Sequence, residues 1–438
     1  MGMMLRPVVS IVVFVLLATI GSAEAQEARR RFDLMRRIRL DKFELVLPRA
    51  MRENAIDMWI VAMKQNHHDP LCEDLGGSFS SATGYFIFTV RGDRIEKAAL
   101  GVEGVGLEGA GGYDIVNSRV DLKAFVRERD PKRIGVNMSE EIGVADGLTY
   151  THYQLLVKTL GEPYASRLVS AEKLVSDFRS SHVATEIIAF GEAAQHAREL
   201  AERALSNEII TPGRTTLEDV AWWMQDRLLE RGLGMSFGMP SVYWSGPEGI
   251  IATSDDTVIR PGMLLHIDWG VCLMNFCTDM KRTAYVLKAD ESKPPAGLQH
   301  AWDQALKVRE VMRQAIKPGV RGIDMLDTLN RKVAEAGFTI VKEFNKPSAA
   351  AATEVFIGSH ATGDTGHGSG PSITTWQARQ STYTLRPTNM IAFEFFAWTP
   401  APEWGGKKVR IPIEDDAMVT ERGVEWLAPV NERIRLIK

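Results

Sequence analysis

Four carboxylate residues lie inside segments that otherwise have the pattern of buried β-strands. They are Asp268, Asp279, Glu394 and Glu414, and each has apolar residues on at least one side. A buried carboxylate without a partner is costly because it loses its hydration. Each of the four must therefore pair with a cation, hold a proton or bind a metal ion. This requirement constrains the second half of the chain more strongly than any other feature of the sequence.

The spacing of the two aspartates predicts a β-hairpin. If segment 264–268 pairs with segment 277–285 around a turn at 272–275, Asp268 stands directly opposite Asp279. Opposed side chains have Cβ atoms only about 4.5–5.5 Å apart on one face of a sheet. Two anions at that distance repel each other unless a cation lies between them, so the pattern predicts a metal ion.

A histidine adds a nitrogen donor in the same half of the chain. His367 lies in the glycine-rich segment 363–370, where the backbone can approach a ligand closely. Four carboxylates and one imidazole suit Mn(II), Co(II), Zn(II) or Fe(II) in a two-metal site. Two ions about 3.5–4 Å apart can share a hydroxide at neutral pH and polarise a carbonyl group. The alternative interpretation is a set of unrelated salt bridges to arginines such as Arg282 and Arg410.

The N-terminal segment has the pattern of a secretory signal peptide. Arg6 precedes the apolar run 7–20, and Ala23-Glu24-Ala25 follows as a small-residue cleavage site. The run is shorter than the roughly 20 apolar residues of a membrane span. We therefore expect residues 1–25 to be removed before Gln26, with an uncleaved N-terminal anchor as the alternative. The mature chain is expected in a bacterial periplasm or outside the cell.

The composition is that of an ordinary globular protein. Of 438 residues, 45% are hydrophobic and 25% are charged, and the formal net charge is -4. This balance excludes a disordered chain, and the slight acidic excess gives no reason to expect nucleic acid as a partner. The arginine-rich segment 27–45 has apolar residues at helical spacing, which predicts an amphipathic helix with a solvated face.

Two patterns of secondary structure divide the chain. Up to about residue 174, β-rich runs alternate with helical patterns, which is typical of an α/β layer. The predicted strands are 58–62, 84–90 and 132–136, and the predicted helices are 121–129 and 150–159. Two long helices follow at 185–205 and 215–231, the second with an N-terminal capping pattern. We therefore predict an N-terminal α/β domain over 27–178 and a second domain over 182–438.

The motifs of the second domain resemble those of the pita-bread metallopeptidases, the superfamily of methionine aminopeptidase, aminopeptidase P, prolidase and creatinase. Segments 266–270 and 276–283 resemble its paired-aspartate motif, and Thr365-Gly366-His367-Gly368 resembles its histidine loop. Segments 393–395 and 413–416 resemble its two glutamate strands. The likeness is to the Xaa-Pro aminopeptidase and prolidase branch. It implies an α+β fold in which a pita-bread catalytic domain follows a creatinase-like α/β domain.

The resemblance also implies a ligand set and an activity. Asp268, Asp279 and Glu414 would bind one metal ion, and Asp279 and Glu414 would bridge to a second ion held by His367 and Glu394. Glu394 would also handle the proton of the metal-bound water. Manganese is the expected metal, with cobalt, zinc and iron as alternatives. The implied activity is that of an Xaa-Pro aminopeptidase or dipeptidase, which cleaves short peptides with a metal-bridging hydroxide.

Three positions depart from the pattern of the family's peptidases. Ile251 stands where a histidine is expected about seventeen residues before the first aspartate, and Thr374 where one is expected about seven residues after the loop histidine. Pro412 replaces an arginine expected two residues before the last glutamate. The missing histidines would position the peptide and stabilise its tetrahedral intermediate. His266 and His360 are candidate catalytic replacements; alternatively, His266 is a packed residue and His360 a loop residue.

The three cysteines give no clear pairing. Cys272 and Cys277 flank the predicted turn, where they would be diagonal rather than opposed, and Cys72 is distant in the sequence. We therefore expect three unpaired thiols.

Three functions are compatible with these patterns, because a fold does not fix its chemistry. The first is an exported dinuclear metallopeptidase, and the second is a lyase or hydrolase of a small non-peptide molecule on the same scaffold. The third is a binding protein with a degenerate site, although such relatives lose metal ligands and this chain retains all five. The expected partners are a short peptide or other small substrate and a second copy of the chain in a homodimer. Stable membrane insertion after signal removal is not expected.

Overall fold

The computed structural model describes residues 26–77, 83–103, 107, 111–119, 121–348 and 351–438. The predicted signal peptide, residues 1–25, lies outside the described residues. Among the described helices, none has the length and apolar character needed to cross a membrane. Helices and sheets alternate throughout, so the predicted α+β fold class is confirmed.

A six-stranded sheet forms the centre of the N-terminal domain. Its strands are β1 (Met58–Lys64), β2 (Thr83–Arg91), β3 (Arg94–Leu100), β4 (Ile115–Asn117), β5 (Ile134–Val136) and β6 (Leu168–Ser170). In space they follow the order β4-β3-β2-β1-β5-β6. The helices are α1 (Glu27–Leu45), α2 (Leu47–Glu53), α3 (Cys72–Leu75), α4 (Leu122–Arg129), α5 (Tyr150–Leu160) and α6 (Glu172–Ser180). The strands and helices predicted for this region are confirmed to within a few residues.

Strand β1 is buried on both faces. Trp59 and Val61 pack with residues of α1, α2 and α6, whereas Met58 and Ile60 pack with residues of α4 and α5. Alternate residues of a strand point to opposite faces, so a strand covered on both sides needs an unbroken apolar run. Residues 58–63 supply such a run.

The C-terminal domain begins with the two predicted long helices, α7 (Ala184–Ala204) and α8 (Leu217–Glu230). At the start of α8, the Asp219 N–H donates to Thr216 Oγ1 at 3.1 Å, and the Thr216 N–H donates to Asp219 Oδ2 at 2.8 Å. This capping box satisfies two backbone N–H groups that have no partner within the helix. It confirms the N-terminal signal that predicted this helix.

Three sheets make up the rest of the domain. The first contains β8 (Ser241–Gly246), β9 (Gly249–Ile251), β10 (Leu264–Trp269), β13 (Met280–Val286) and β20 (Arg435–Ile437). The second contains β14 (Thr339–Ile340), β15 (Glu354–Ile357), β17 (Met390–Pro400), β18 (Lys408–Thr420) and β19 (Gly423–Trp426), with β16 (His360–Ala361) paired to β17. The third is small and contains β7 (Gly234–Met235), β11 (Val271–Leu273) and β12 (Phe276–Cys277).

Two helices cover one face of the second sheet. They are α9 (Ala296–Ala315) and α10 (Gly322–Glu335). Trp302 of α9 belongs to the same apolar core as Phe393 and Phe395 of β17. Because neighbouring residues of a strand alternate between faces, Glu394 points away from this core. The fold therefore presents Glu394 to the space between the two large sheets.

The hairpin formed by β11 and β12 is tighter than predicted. Leu273 pairs with Phe276, which leaves a two-residue turn in which Met274 has a positive φ of 55°. Cys272 therefore stands directly opposite Cys277, and the two residues form a disulfide bond. The expectation of three unpaired thiols was wrong, because the predicted four-residue turn placed these cysteines diagonally.

Buried charged groups join the two domains. Lys42 of α1 donates to Glu186 Oε1 of α7 at 3.1 Å and to the Arg179 carbonyl oxygen at 3.1 Å. The Arg179 guanidinium pairs with Asp74 of α3 and with Asp364, which precedes His367 in the glycine-rich segment. The N-terminal domain thus helps to fix the loop that carries the predicted site histidine.

Candidate metal centre

The two predicted glutamates face each other across the second sheet. Glu394 of β17 and Glu414 of β18 are direct partners in the antiparallel ladder, and both are buried. Like charges in this arrangement destabilise a sheet. The pair therefore needs a cation or a proton between its carboxyl groups.

The two predicted aspartates are not opposed. Asp268 of β10 pairs with Lys281 of β13, because the two-residue turn shifts the hairpin register by two positions. Asp279 precedes β13 and lies two residues before Lys281, so strand alternation directs both side chains to one face. The predicted opposition of Asp268 and Asp279 was wrong, but the need for a cation among these carboxylates remains.

A lysine that the sequence reasoning missed lies among the carboxylates. Lys281 Nζ is 3.2 Å from Asp268 Oδ2, 2.6 Å from Glu394 Oε1 and 2.5 Å from Glu414 Oε2. Burial alone would lower the pKa of Lys281, but these carboxylates outweigh it and raise the pKa well above its ordinary value. The two-residue spacing after Asp279 was the signal that could have revealed this residue.

His360 supplies an imidazole to the same group. Its Nε2 is 3.5 Å from Glu414 Oε1 and 3.8 Å from both Asp279 Oδ2 and Glu394 Oε2. Its Nδ1 is 3.0 Å from the carbonyl oxygen of Ala361. A carbonyl oxygen only accepts hydrogen bonds, so Nδ1 carries the hydrogen and Nε2 faces the carboxylates. A backbone partner of this kind commonly orients a metal-binding histidine.

His367 lies farther from the carboxylates than His360. The two rings contact each other edge to face, with centroids 4.5 Å apart, and His367 is exposed. Within the described residues, His360 rather than His367 has a ring nitrogen within 3.8 Å of the carboxylate oxygens. This geometry favours His360 as the imidazole ligand. Thr374, which stands where the resemblance leads us to expect a histidine, is buried.

The other candidate positions make no contact with the four carboxylates that the described part of the chain records. His266 shares a face with Asp268, as strand alternation predicts, and its Nδ1 is 2.9 Å from Thr283 Oγ1. Its ring stacks on Tyr243, and burial together with the charge of Arg410 holds the pKa of His266 well below its ordinary value. His266 is therefore a neutral, packed residue. Ile251 is exposed at the end of β9.

The carboxyl groups of the centre differ in proton affinity. Burial and the charge of Glu414 raise the pKa of Glu394 to about 7 and raise that of Asp279 well above its ordinary value. Burial also acts to raise the pKa of Glu414, but Lys281 and His360 outweigh it and hold the value at about 2. Neighbouring carboxyl groups with such different pKa values can take different roles in proton transfer.

Arginine salt bridges do not account for the four carboxylates. Arg282 Nη1 pairs with Asp415 Oδ1 at 2.8 Å. Arg410 packs over the ring of Phe396, with its guanidinium carbon 4.3 Å from the ring centroid. Among the described residues, Arg410 forms no ion pair and its Nε is buried without a hydrogen-bond partner. The alternative interpretation from the sequence is therefore not supported for these two arginines.

A cavity of about 530 Å³ opens onto the carboxylates. The side chains that line it are Phe237, Asp268, Asp279, Lys281, Phe344, His360, His367, Trp376, Glu394, Phe396, Arg410 and Glu414. Four of these residues are aromatic, and Arg410 is a cation beside them. Such a cavity suits a small molecule with both an apolar and an anionic part.

The residues present fit a divalent metal ion. One potential ligand atom from each of Asp279, His360 and Glu414 lies within 4.8 Å of the others. Asp279 Oδ1 is buried and accepts no hydrogen bond from the described part of the chain. Two carboxylates and one imidazole are ligands for Mn(II), Fe(II), Co(II) or Zn(II).

Solved structures share this fold over most of the chain. An X-Pro aminopeptidase from Thermotoga maritima superposes with a TM-score of 0.62 at 16% identity, covering 89% of this chain and 99% of the other. An Xaa-Pro dipeptidase from Bacillus anthracis superposes with a TM-score of 0.61 at 20% identity, covering 94% of this chain and 100% of the other. These superpositions show a common fold.

Sequence comparison identifies the family. An uncharacterized peptidase of Staphylococcus saprophyticus is 29% identical over 195 residues, which are 44% of this chain and 47% of that protein, so the match spans about half of the relative. The model of metallopeptidase family M24 matches residues 189–421, more than half of the chain. These residues include all four carboxylates and both histidines of the centre. The protein therefore belongs to metallopeptidase family M24, in agreement with the prediction from its motifs.

Proposed function

We propose that the protein is an exported, metal-dependent peptidase that cleaves short peptides of the Xaa-Pro type. The observation that carries the proposal is the buried group of Asp279, His360 and Glu414 at the base of an aromatic cavity. Membership of family M24 supports peptide hydrolysis. The likeness to an X-Pro aminopeptidase and an Xaa-Pro dipeptidase supports cleavage beside proline.

Each residue of the centre has a proposed role. Asp279, His360 and Glu414 would hold a divalent ion, with manganese as the proposed metal. A bound divalent ion polarises a substrate carbonyl group and lowers the pKa of water. Glu394 would accept and return a proton at Oε2, because its Oε1 is hydrogen-bonded to Lys281 and its Oε2 faces His360. 

His367 would donate a hydrogen bond to the substrate. It is exposed and lines the cavity, and its ring lies against His360 at the edge of the carboxylate cluster. A donor near a carbonyl oxygen that gains negative charge stabilises the tetrahedral transition state. The resemblance leads us to expect this role for a histidine at the position of Thr374.

Arg410 would bind the terminal carboxylate of the peptide. The guanidinium lies in the cavity without an acidic partner among the described residues, and Phe396 supports it from one side. A planar guanidinium is well matched to a carboxylate group. The aromatic rings of Phe344 and Trp376 offer an apolar surface for a proline ring. A substrate of two or three residues would place its carboxylate within this cavity.

Hydrolysis of synthetic peptides tests the proposal. The mature chain, residues 26–438, would be loaded with Mn(II) and given an Xaa-Pro dipeptide and an Xaa-Pro-Yaa tripeptide. Dipeptide cleavage would indicate a prolidase, and release of the first residue of the tripeptide an aminopeptidase P. Asp279→Ala should abolish turnover, whereas Asp303→Ala on the exposed surface of α9 should not change it. Absence of cleavage by metal-loaded protein would contradict the proposal and favour the non-peptide chemistry considered from the sequence.

Export is supported by the signal-like N-terminus and by the disulfide. Cys272 and Cys277 form a disulfide, and such bonds persist mainly in oxidising compartments. We expect the full chain, expressed in a bacterium, to appear in the periplasm or the medium with Gln26 as its first residue. Membrane-bound protein with an intact N-terminus would show the uncleaved anchor instead.

A further inference from the structure

We propose that the ammonium group of Lys281 takes the place of one of the two metal ions typical of this family, so that the centre binds a single divalent ion. The proposal rests on the metal centre proposed above and deepens it, because it fixes the number of ions that the centre holds. The remaining ion would be bound by Asp279, His360 and Glu414.

The oxygen atoms of the two glutamates are divided between Lys281 and His360. Glu414 directs Oε2 to Lys281 Nζ at 2.5 Å and Oε1 to His360 Nε2 at 3.5 Å. Glu394 directs Oε1 to Lys281 Nζ at 2.6 Å and Oε2 to His360 Nε2 at 3.8 Å. Each glutamate thus has one oxygen for each of two cation positions. The ammonium occupies one position, and the second is the group of metal-ligand atoms around His360.

The two aspartates follow the same division. Asp268 Oδ2 lies 3.2 Å from Lys281 Nζ, whereas Asp279 Oδ2 lies 3.8 Å from His360 Nε2. The resemblance implies that these carboxylates hold two metal ions. In this protein they are instead divided between one ammonium group and one potential metal site. Asp268, which would bind a metal ion in that set, serves here as a partner of Lys281.

The backbone fixes Lys281 in this position. Lys281 is the direct cross-strand partner of Asp268. It also lies two residues after Asp279, so the side chains of these two residues point to the same face. Its side chain is only 5% exposed, and its ammonium lies 5.5 Å from the centroid of the Phe396 ring. Lys281 lines the cavity, but carboxylate oxygens of Asp268, Glu394 and Glu414 within 3.2 Å hold its ammonium group in place. The ammonium therefore stays among the carboxylates when a metal ion binds.

Lys281 and one divalent ion already supply most of the positive charge that the four carboxylates require. Four ionised carboxylates are close to neutralised by Lys281 together with one divalent ion, which leaves one negative charge. With Lys281 in place, a second divalent ion would reverse the net charge of the centre from about -1 to about +1, and it would compete with the ammonium for Glu394 Oε1 and Glu414 Oε2. Displacing the ammonium would leave a buried charge without its partners, so this displacement is unfavourable.

Metal stoichiometry tests the inference without relying on activity. Wild-type protein, Lys281→Ser and Lys281→Met would be saturated with Mn(II), separated from free metal and analysed for manganese per chain. Lys332→Ser, on the exposed surface of α10, is the matched control. The electron paramagnetic resonance spectrum of the bound manganese gives a second readout, because two adjacent Mn(II) ions are spin-coupled and a single ion is not.

We expect one manganese ion per chain and an uncoupled spectrum for wild type and for Lys332→Ser. Lys281→Ser, which removes the ammonium and opens space, should bind two ions with a coupled spectrum, and Lys281→Met, which removes the charge but fills the space, should remain below two. Two ions in the wild type would overturn the inference and leave the proposed peptidase intact. Binding of no metal by the wild type would overturn both. The wild-type count decides the question even if Lys281→Ser does not fold.

Discussion

The buried ion pair between the domains allows a quantitative prediction. The side chains of Lys42 and Glu186 are each 1% exposed, and Lys42 Nζ lies 3.1 and 3.2 Å from the two carboxylate oxygens. Replacing Lys42 by methionine keeps the apolar stem but leaves the carboxylate of Glu186 without its main cation. The remaining partners of Glu186 are His182, with Nδ1 at 3.1 Å, and the backbone N–H of Val183 at 3.3 Å.

The expected cost follows from the proton affinity of Glu186. Burial acts to raise its pKa, but Lys42, His182 and Arg179 outweigh burial and lower the pKa from 4.5 to about 2. A pKa difference of about 2.5 corresponds to about 3 kcal/mol of stabilisation above pH 4.5. Burial also lowers the pKa of Lys42, which means that placing the charged lysine in this site costs stability. The pair as a whole therefore stabilises the folded protein by no more than this amount. Removal of one partner from a buried pair typically costs about 3–5 kcal/mol.

Urea denaturation followed by tryptophan fluorescence would measure the change. We expect Lys42→Met to lower the free energy of unfolding by about 3 kcal/mol at pH 7. The depressed pKa of Glu186 adds stability above pH 4.5 that is lost as the pH falls through about 2. The difference in free energy of unfolding between wild type and Lys42→Met should therefore become smaller below pH 4.5. Lys42→Met combined with Glu186→Gln removes both charges and should recover most of the loss.

Two results would refute this reasoning. A cost below about 1 kcal/mol for Lys42→Met would mean that the pair behaves as an exposed salt bridge, for which such values are usual. A double variant no more stable than Lys42→Met would mean that the loss arises from packing and not from an unpaired charge. In either case the domain junction would depend on other contacts.

Three further variants test the proposed centre and its surroundings. His367→Gln should lower kcat/KM by about 100-fold in peptide assays while leaving the bound metal unchanged, because it removes a donor to the transition state. Arg410→Met should raise KM about tenfold or more for peptides with a free carboxylate and have little effect on their amides, because a charged hydrogen bond is lost. Replacement of Cys272 and Cys277 by serine should lower the free energy of unfolding by about 2 kcal/mol, the chain-entropy value for a six-residue loop, measured by urea denaturation.

Each of these expectations has a contrary outcome. Loss of metal from His367→Gln would make that histidine a ligand, as the sequence analysis first assigned it. An equal rise in KM for peptides and their amides after the change at Arg410 would exclude carboxylate recognition by that residue. Equal stability of wild type and the serine variant, with the wild type shown to be oxidised, would leave the disulfide without a stabilising role.

The local pattern of the sequence was sufficient for several elements of the fold. The β-rich run at 58–62 predicts strand β1, and the capping residues at Thr216 and Asp219 predict the start of α8. These signals are local because a strand or helix end depends on residues only a few positions apart. The need for a partner at the buried glutamates is also a local signal, because a carboxylate in an apolar run requires a partner whatever form the rest of the fold takes.

The sequence by itself determined the family, the strands and the need for a cation among four buried carboxylates. Only the tertiary structure decided which groups meet. A turn two residues shorter than predicted replaced Asp279 with Lys281 as the partner of Asp268 and brought the two cysteines together. Likewise, His360 rather than His367 faces the carboxylates, because its strand pairs with β17 beside Glu394. The physical reason is common to these cases: side-chain contacts depend on the register between strands, which is set by turn length and packing across distant segments and not by the composition of either strand.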